Sequence, residues 1–320
     1  MRTLLSFRQE NSSFPVGTYL TALDSTYNIN LIDLNTLDII YTYPSPISGA
    51  QSIQRLSNDD MLLHSTSRLG RVANGKDVVF DLAINNSTGT YPTEYNGYIY
   101  TPTKNSSKSG LMKLNATTGA TIWDAGIVTT YYGLFGGNLL GYSTGIYGFT
   151  YDSAILRYNV TNGTYTKSST NLINRPRHKQ ILIGDYSYGG GVYDGVVQQV
   201  NLATETVANS YNTSAQGMNH TMAMDSDSSG NLYVAALNNS DLTSAIVSLT
   251  TPNLGLRWSK PMSIYSCKLI TVDQSSGNLY AYSRSSDDVT NKLYKLDPSN
   301  GVILKTVNVP ILSDMTILSF

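Results

Sequence analysis

The fold is decided by one stretch near the end of the chain, residues 268–309, which reads KLITVDQSSGNLYAYSRSSDDVTNKLYKLDPSNGVILKTVNV. Apolar and polar residues alternate in four short runs, and segments rich in Asp, Asn, Ser and Gly separate them. Alternation with a period of two is typical of half-buried strands, and these small polar residues favour turns. The stretch therefore predicts one four-stranded antiparallel unit. Its predicted strands are Lys268–Asp273, Asn278–Ser283, Lys292–Leu296 and Val302–Val309.

The phrase that forms the third of these strands recurs along the whole chain. Its seven copies are Leu31-Ile-Asp-Leu-Asn35, Leu69-Gly-Arg-Val-Ala73, Leu111-Met-Lys-Leu-Asn115, Ile155-Leu-Arg-Tyr-Asn159, Val197-Gln-Gln-Val-Asn201, Ile246-Val-Ser-Leu-Thr250 and Leu293-Tyr-Lys-Leu-Asp297. The last residues of successive copies are 38, 42, 44, 42, 49 and 47 positions apart. Repeats of about 40–50 residues with four strands each are the blades of β-propellers. We therefore predict an all-β protein, a single seven-bladed β-propeller of four-stranded antiparallel blades, with residues 1–320 as one domain.

Two terminal segments could close this ring, and the sequence leaves the choice open. Residues 315–320 follow the seventh blade where a new innermost strand belongs, and residues 2–7 could fill the same place in the first blade. Either closure removes the exposed strand edges that invite aggregation. The single cysteine, Cys267, falls in the strand-like stretch of the seventh repeat, which predicts a buried structural thiol.

One copy of the repeat carries a family resemblance. Residues 110–123, GLMKLNATTGATIW, resemble the quinoprotein-like propeller repeat, in which a strand turns through Asp/Asn-x-x-Thr-Gly and finishes on Trp. Residues 273–280, DQSSGNLY, look like the YVTN and NHL classes of propeller repeat. The resemblance implies the fold alone. Quinone dehydrogenases of that type carry a vicinal cysteine pair and docking tryptophans in most blades, whereas this chain has one Cys and two Trp. No cofactor is therefore expected.

The amino-acid composition limits the expected location of the protein and its expected partners. Charged residues make up 13% of the chain, about half the usual share, and the net charge is −1. Without runs of like charge, neither nucleic acid nor an anionic membrane is an expected partner.

A surface that is polar through hydroxyl and amide groups favours an exterior location, although residues 1–10 do not have the pattern of a signal peptide. A virion component would reconcile the two, because it leaves the cell by assembly. A cytoplasmic location is the alternative. No stretch is apolar over the length that a membrane-spanning helix needs, so membrane insertion is not expected.

Motifs for catalysis and metal binding are absent from the sequence. His64, His178 and His220 are not at metal-ligand spacing, and no nucleophile elbow or phosphate loop occurs. We therefore predict no metal site, no catalytic residues and no enzymatic activity. The alternative is an enzyme, a lyase or glycan hydrolase, with its site at the mouth of the central channel. It would require His178 or His220, both near the starts of inner strands, to meet a carboxylate or a metal.

The remaining signal is a set of aromatic and histidine side chains in the loops from each outermost strand to the next blade. Such loops cluster on one face of a propeller. The binding candidates are Tyr91, Tyr131, Tyr132, His178, Tyr211, His220, Trp258 and Tyr265. Tyr and Trp give large contact areas and a polar tip, which suits recognition of protein or glycan. The alternative is that these aromatics only cover strand ends.

Together these observations predict a non-enzymatic binding or structural propeller on an exterior surface, built into a larger assembly. Its most specific form is a virion structural or host-attachment protein that recognises another protein or a surface glycan. An intracellular scaffold for protein interactions is the third hypothesis, because it needs only the rim of the propeller.

Overall fold

The computed structural model forms seven four-stranded antiparallel sheets arranged as a ring, which confirms the predicted seven-bladed β-propeller. It describes residues 14–85, 91–105, 108–125, 137–150, 153–168, 179–191, 194–262, 266–285 and 289–320. These residues form 28 strands and one short 3₁₀ helix, Thr213–Gln216. In the same part of the chain there is no helix of the length and apolarity needed to cross a membrane.

The two inner strands of each blade lie nearest the axis of the ring. From blade one to blade seven, the innermost strands are β28 (Leu312–Ser319), β4 (Ser52–Arg55), β8 (Thr93–Tyr95), β12 (Leu140–Tyr142), β16 (Ile181–Ile183), β20 (His220–Ser226) and β24 (Cys267–Val272). The second strands are β1 (Thr18–Asp24), β5 (Met61–His64), β9 (Tyr98–Asn105), β13 (Gly145–Phe149), β17 (Tyr186–Gly190), β21 (Leu232–Leu237) and β25 (Leu279–Ser283).

The two outer strands follow in the same blade order. The third strands are β2 (Asn28–Ile32), β6 (Arg68–Ala73), β10 (Lys108–Asn115), β14 (Ile155–Tyr158), β18 (Val196–Asn201), β22 (Ser244–Leu249) and β26 (Lys292–Leu296). The outermost strands are β3 (Ile39–Pro44), β7 (Asp77–Ala83), β11 (Thr121–Asp124), β15 (Tyr165–Ser168), β19 (Thr206–Asn212), β23 (Leu256–Met262) and β27 (Ile303–Asn308). In blade seven these bounds agree with the predicted strands to within a residue or two.

The ring is closed by the C-terminal strand. β28 pairs with β1 along its length, with Leu318 opposite Tyr19 and Met315 opposite Ala22. The first blade therefore takes its innermost strand from the opposite end of the chain. Of the two closing segments that the sequence left open, residues 315–320 are thus the one seen in this place, and the other candidate, residues 2–7, lies outside the described residues.

The turn between the third and outermost strands has a recurring geometry. In blade three, Asn115 Oδ1 accepts hydrogen bonds from the backbone N–H groups of Thr117 and Thr118, at 2.9 and 3.0 Å. In blade one Asp33 does the same, so the predicted repeat anchor Asn35 is wrong by two residues. The error has a simple cause: Ile29, Ile32 and Asp33 have the spacing of the phrase, and Leu31, Leu34 and Asn35 repeat it two positions later.

The two tryptophans fasten neighbouring blades together. On β11, Trp123 Nε1 donates to the carbonyl oxygen of Val160 in the outer turn of blade four, at 3.3 Å. On β23, Trp258 Nε1 donates to Pro298 O in the same turn of blade seven, at 3.0 Å. Each indole lies over the glycine of that turn: a Cβ on Gly301 would come within 2.8 Å of the Trp258 ring. These contacts are a repeated docking device on the outer part of the ring.

The buried core consists of apolar layers between blades. Cys267 is fully buried in the layer of blades six and seven, as predicted, and burial raises the pKa of its thiol to about 12. A thiol held in this neutral form is a poor nucleophile, so Cys267 acts as a small core residue.

Candidate functional site

All seven blades contribute to a cavity of about 240 Å³ in the central channel. Its lining comes from or beside the innermost strands, and it includes Ile53–Arg55, Tyr91–Thr93, Asn138, Lys179, Met222–Met224, Lys268–Ile270 and Asp314–Thr316. Because every blade points its innermost strand at the axis, side chains distant in sequence meet there. The channel is therefore the principal candidate site.

Asp314 is the one carboxylate among the described residues that line this cavity. Its two oxygens accept hydrogen bonds from the backbone N–H groups of Ile53 in blade two, at 3.0 Å, and of Met315, at 2.9 Å. Burial raises the pKa of Asp314 to about 6, although these hydrogen bonds and the positive charge of Lys179 act against the rise. Asp314 therefore joins two blades and changes charge in the mildly acidic range.

Tyr91 and Lys268 share the cavity with Asp314. The Asp314 carboxylate and burial both raise the pKa of the Tyr91 phenol, so Tyr91 stays neutral. Burial and the nearby charge of Arg284 lower the pKa of Lys268. The ammonium of Lys268 is thus held in an environment that disfavours its charge.

The charges of the channel are predominantly positive. Arg55, Lys179 and Lys268 line the cavity against the single carboxylate of Asp314. Arg55 forms an ion pair with Asp59, whereas Lys268 has no ion pair with any residue that the structure describes. The channel is therefore suited to an anionic group. Among the same described residues no cluster of three His, Cys, Asp or Glu side chains could hold a metal ion.

The raised pKa of Asp314 predicts a pH dependence of stability. A carboxyl that binds its proton more tightly in the folded state than in the unfolded state stabilises the fold at low pH. This contribution is lost as the pH rises from about 4 to about 6, and it is at most about 2 kcal/mol because channel water screens the charge. The denaturation midpoints of the wild type and of Asp314→Asn are measured from pH 4 to 7 and plotted against pH. The slopes of the two plots should differ most between pH 4 and 6. Parallel curves would contradict the assignment.

The structure separates the predicted binding residues. Tyr91 lies in the connection between β7 and β8, and it lines the channel cavity. The prediction that Tyr211 lies in an interblade loop is wrong, because β19 continues to Asn212; its hydroxyl donates to Gln216 Oε1 at 2.9 Å. His220 begins β20, and its Nδ1 lies 2.7 Å from Asn219 Oδ1. The prediction that Trp258 opens an interblade loop is wrong, because β23 continues to Met262 and the indole lies between blades. Its position fits the alternative that aromatics cover strand ends.

The remaining candidates, Tyr131, Tyr132, His178 and Tyr265, lie outside the described residues. The enzyme hypothesis required a histidine to meet a carboxylate. Burial lowers the pKa of His220, and the negative charge of Asp194 only partly opposes this fall. Neither residue is among those that line the channel cavity.

Sequence reasoning missed the charged residues of the channel. Arg55, Lys268 and Asp314 are not part of any motif, and each stands alone in its repeat. The repeat pattern could have revealed Lys268, because it placed this residue on an innermost strand of blade seven. An ionisable residue at such a position faces either the core or the channel, and it deserves scrutiny.

Comparisons with known proteins give the fold and little else. No family model matches the chain. No curated protein sequence matches it either. A functionally unknown protein from Desulfotomaculum acetoxidans DSM 771 superposes with a TM-score of 0.69 at 11% identity, over 95% of this chain and 99% of that one.

Two further solved structures are similar over nearly their whole lengths. BamB from Moraxella catarrhalis gives a TM-score of 0.58 at 11% identity, over 94% of both chains. The computationally designed protein Ika8 gives 0.61 at 9% identity, over 97% of this chain and 98% of that one. At such identities a shared fold does not carry a shared function. The chain is thus similar to these proteins as a β-propeller, and its function has to be argued from its own surface and channel.

Proposed function

We propose that the protein is a non-enzymatic binding propeller, built into a larger assembly on an exterior surface. The most specific form of the proposal is a virion structural or host-attachment protein that contacts another protein or a surface glycan. One observation carries the binding role: exposed aliphatic side chains at equivalent positions on the outermost strands of four consecutive blades.

These four residues occupy β-bulges. In blade one, Leu31 pairs with Tyr41 and Ile32 with Ile39, so Ile40 is the extra residue. The corresponding extra residues of blades two, three and seven are Val79, Ile122 and Leu304. Their exposed fractions lie between 40% for Val79 and 55% for Leu304. Blades seven, one, two and three are neighbours in the ring, so we call these four residues the aliphatic rim.

The aliphatic rim has two properties: its bulges hinder strand pairing with other chains, and its side chains offer a contact surface. A bulge twists an edge strand and disrupts its ladder, which discourages pairing with the strand of another chain. The aliphatic side chains nevertheless offer apolar area without charge, the character of the buried centre of protein interfaces. In blades five and six the equivalent residues are Ala208 and Arg257, so large aliphatic side chains at this bulge position occur only in blades seven, one, two and three of the described structure. A protein partner seated against these four blades is the arrangement these residues favour.

The exterior location is supported by the surface chemistry. Only 13% of the residues are charged, and hydroxyl and amide groups keep the surface polar independently of pH. A surface whose polarity does not depend on pH is most useful outside cells, where the pH is not held constant. We also propose that the repeats belong to the quinoprotein-like class, because Trp258 packs on the turn glycine Gly301. This assignment concerns the repeat and implies no quinone chemistry.

Variants of the rim test the proposal. Replacing Ile40 and Ile122 by Lys should release the protein from its assembly, because a buried unpaired ammonium opposes association. Purified particles or cells of the source, carrying each variant, are sedimented and treated with external protease. The wild type should sediment with the particle or envelope and be cleaved, and the double variant should remain unassembled.

The matched control is Ala208→Lys, which places the same charge at the equivalent bulge of blade five. It should sediment like the wild type. Recovery of the wild type as a free intracellular monomer would contradict the exterior role. Equal release of the control and the rim variant would contradict the role of the rim.

A further inference from the structure

Three neighbouring blades carry a β-bulge in the innermost strand at the same height. In blade six, Thr221 pairs with Ala236 and Ala223 with Ala235, which leaves Met222 as the extra residue. In blades two to five the described innermost strands pair with their neighbours without a register shift. The bulges are therefore a local departure from the repeat.

Blades seven and one repeat this arrangement. Lys268 is extra between the pairs Cys267–Ser283 and Leu269–Tyr282. Ser313 is extra because Leu312 pairs with Asp24 and Asp314 with Leu23. Bulges re-aim side chains and are common beside functional sites. The bulges of these three adjacent blades thus place one extra residue each on the same side of the channel entrance.

The three extra residues meet in one pocket. Met222, Lys268 and Ser313 all line a cavity of about 350 Å³ at the channel entrance, and we call this cavity the mouth pocket. The rest of its lining is Ser25, Leu269, Arg284, Ile311 and Leu312. Met222, Lys268 and Leu269 also line the channel cavity, so the two spaces adjoin.

The lining of the mouth pocket combines two chemistries. Lys268 and Arg284 bring two positive charges close enough that Arg284 lowers the pKa of Lys268. No carboxylate of the described residues lies at ion-pair distance from Lys268. Met222, Leu269 and Ile311 provide an apolar wall, and Ser313 adds a hydroxyl donor. An anion would neutralise the charge of Lys268 beside Arg284, and its apolar body would cover the wall.

We propose that the mouth pocket binds a small organic carboxylate, with its carboxylate on Lys268, Arg284 and Ser313 and its body against Met222 and Leu269. The volume is near the lower end for small-molecule sites, which favours a ligand no larger than a single sugar or a short acid. The carboxylate can belong to a free short acid or to an acidic sugar of a glycan. The inference concerns the channel and stands apart from the rim.

Methionine-methyl NMR of the whole chain tests the proposal directly, because Met222 lies in the mouth pocket and Met61 is buried in another blade. The probes are isobutyrate and glucuronate, each compared with a neutral analogue, isobutyramide and glucose. At least one anion should shift the Met222 signal in a saturable manner, leaving Met61 in place, and its neutral analogue should not. Saturation by isobutyrate alone assigns a free acid, and saturation by glucuronate alone an acidic sugar.

Lys268→Met keeps the apolar stem and removes the charge, and it should weaken the binding at least about tenfold. The control is Lys76→Met, since Lys76 is exposed in the outer turn of blade two. This variant should bind the anion with the affinity of the wild type. Failure of both anions to bind, equal shifts with the neutral analogues, or unchanged affinity in Lys268→Met would each overturn the proposal. None of these results depends on the rim variants, so the two proposals can fail separately.

Discussion

Removal of residues 311–320 should leave a chain that does not fold cooperatively. Four side chains of β28 are buried between the first blade and its neighbours: Leu312, Met315, Ile317 and Leu318. Burying each contributes about 1.5–3 kcal/mol, so their loss removes about 6–12 kcal/mol. This is comparable to the whole net stability of an ordinary domain, about 5–15 kcal/mol. Circular dichroism during thermal melting should show no sharp transition for the truncated chain.

Two measurements separate loss of closure from a general effect of truncation. A synthetic peptide of residues 311–320, added in trans, should restore the transition because it can pair with β1 in the observed register. Among full-length variants, Leu318→Ala should cost about 2–5 kcal/mol, whereas Ser319→Ala at the next, more exposed position should cost less than about 0.5 kcal/mol. A truncated chain that melts like the wild type would show that closure does not depend on β28.

Replacing Gly301 by Ala should be the most damaging single-methyl change among the turn glycines near the tryptophans. Gly301 has a φ of 72°, in the left-handed region, and a Cβ there would lie 2.8 Å from the Trp258 ring. The backbone strain costs about 1–2 kcal/mol, and displacement of the indole adds about 1–3 kcal/mol. Urea denaturation should therefore show a loss of about 2–5 kcal/mol.

Gly277→Ala is the matched control, since Gly277 has a φ of 74° but nothing within 4 Å of its Cβ position. It should show the backbone strain alone. In a Trp258→Leu background, the difference between the two Ala variants should shrink, because the smaller side chain leaves room for the methyl group. Equal losses for both variants in the wild-type background would refute the docking role of Trp258.

The seven blades were predictable because each blade repeats one local pattern, and seven copies reinforce one another. The anchor of blade one was misplaced by two residues, since Asp33 and Asn35 are both able to cap a turn and only tertiary packing selects one. Sequence alone does not show where an outermost strand ends, and the prediction therefore places Trp258 in a loop. Its docking partner, the turn at Pro298, belongs to the next blade.

The sequence does not reveal which channel residues come together, and the reason is different. Lys268 of blade seven and Asp314 of blade one line one cavity only when the ring closes, and their spacing along the chain carries no period. The bulge that exposes Lys268 is a register shift of one residue between β24 and β25. Such a shift depends on the pairing of two strands, and the alternation of apolar residues that predicts a strand does not reveal it.

The pairing of β28 with β1 also has a consequence for biosynthesis. The ribosome delivers the second, third and outermost strands of blade one long before their inner partner, which comes after blades two to seven. Until residues 312–319 emerge, the edge of β1 stays unpaired, and its apolar face is open to other nascent chains. Translation that stalls within the seventh blade would therefore release an adhesive open ring, a substrate for chaperones and proteases.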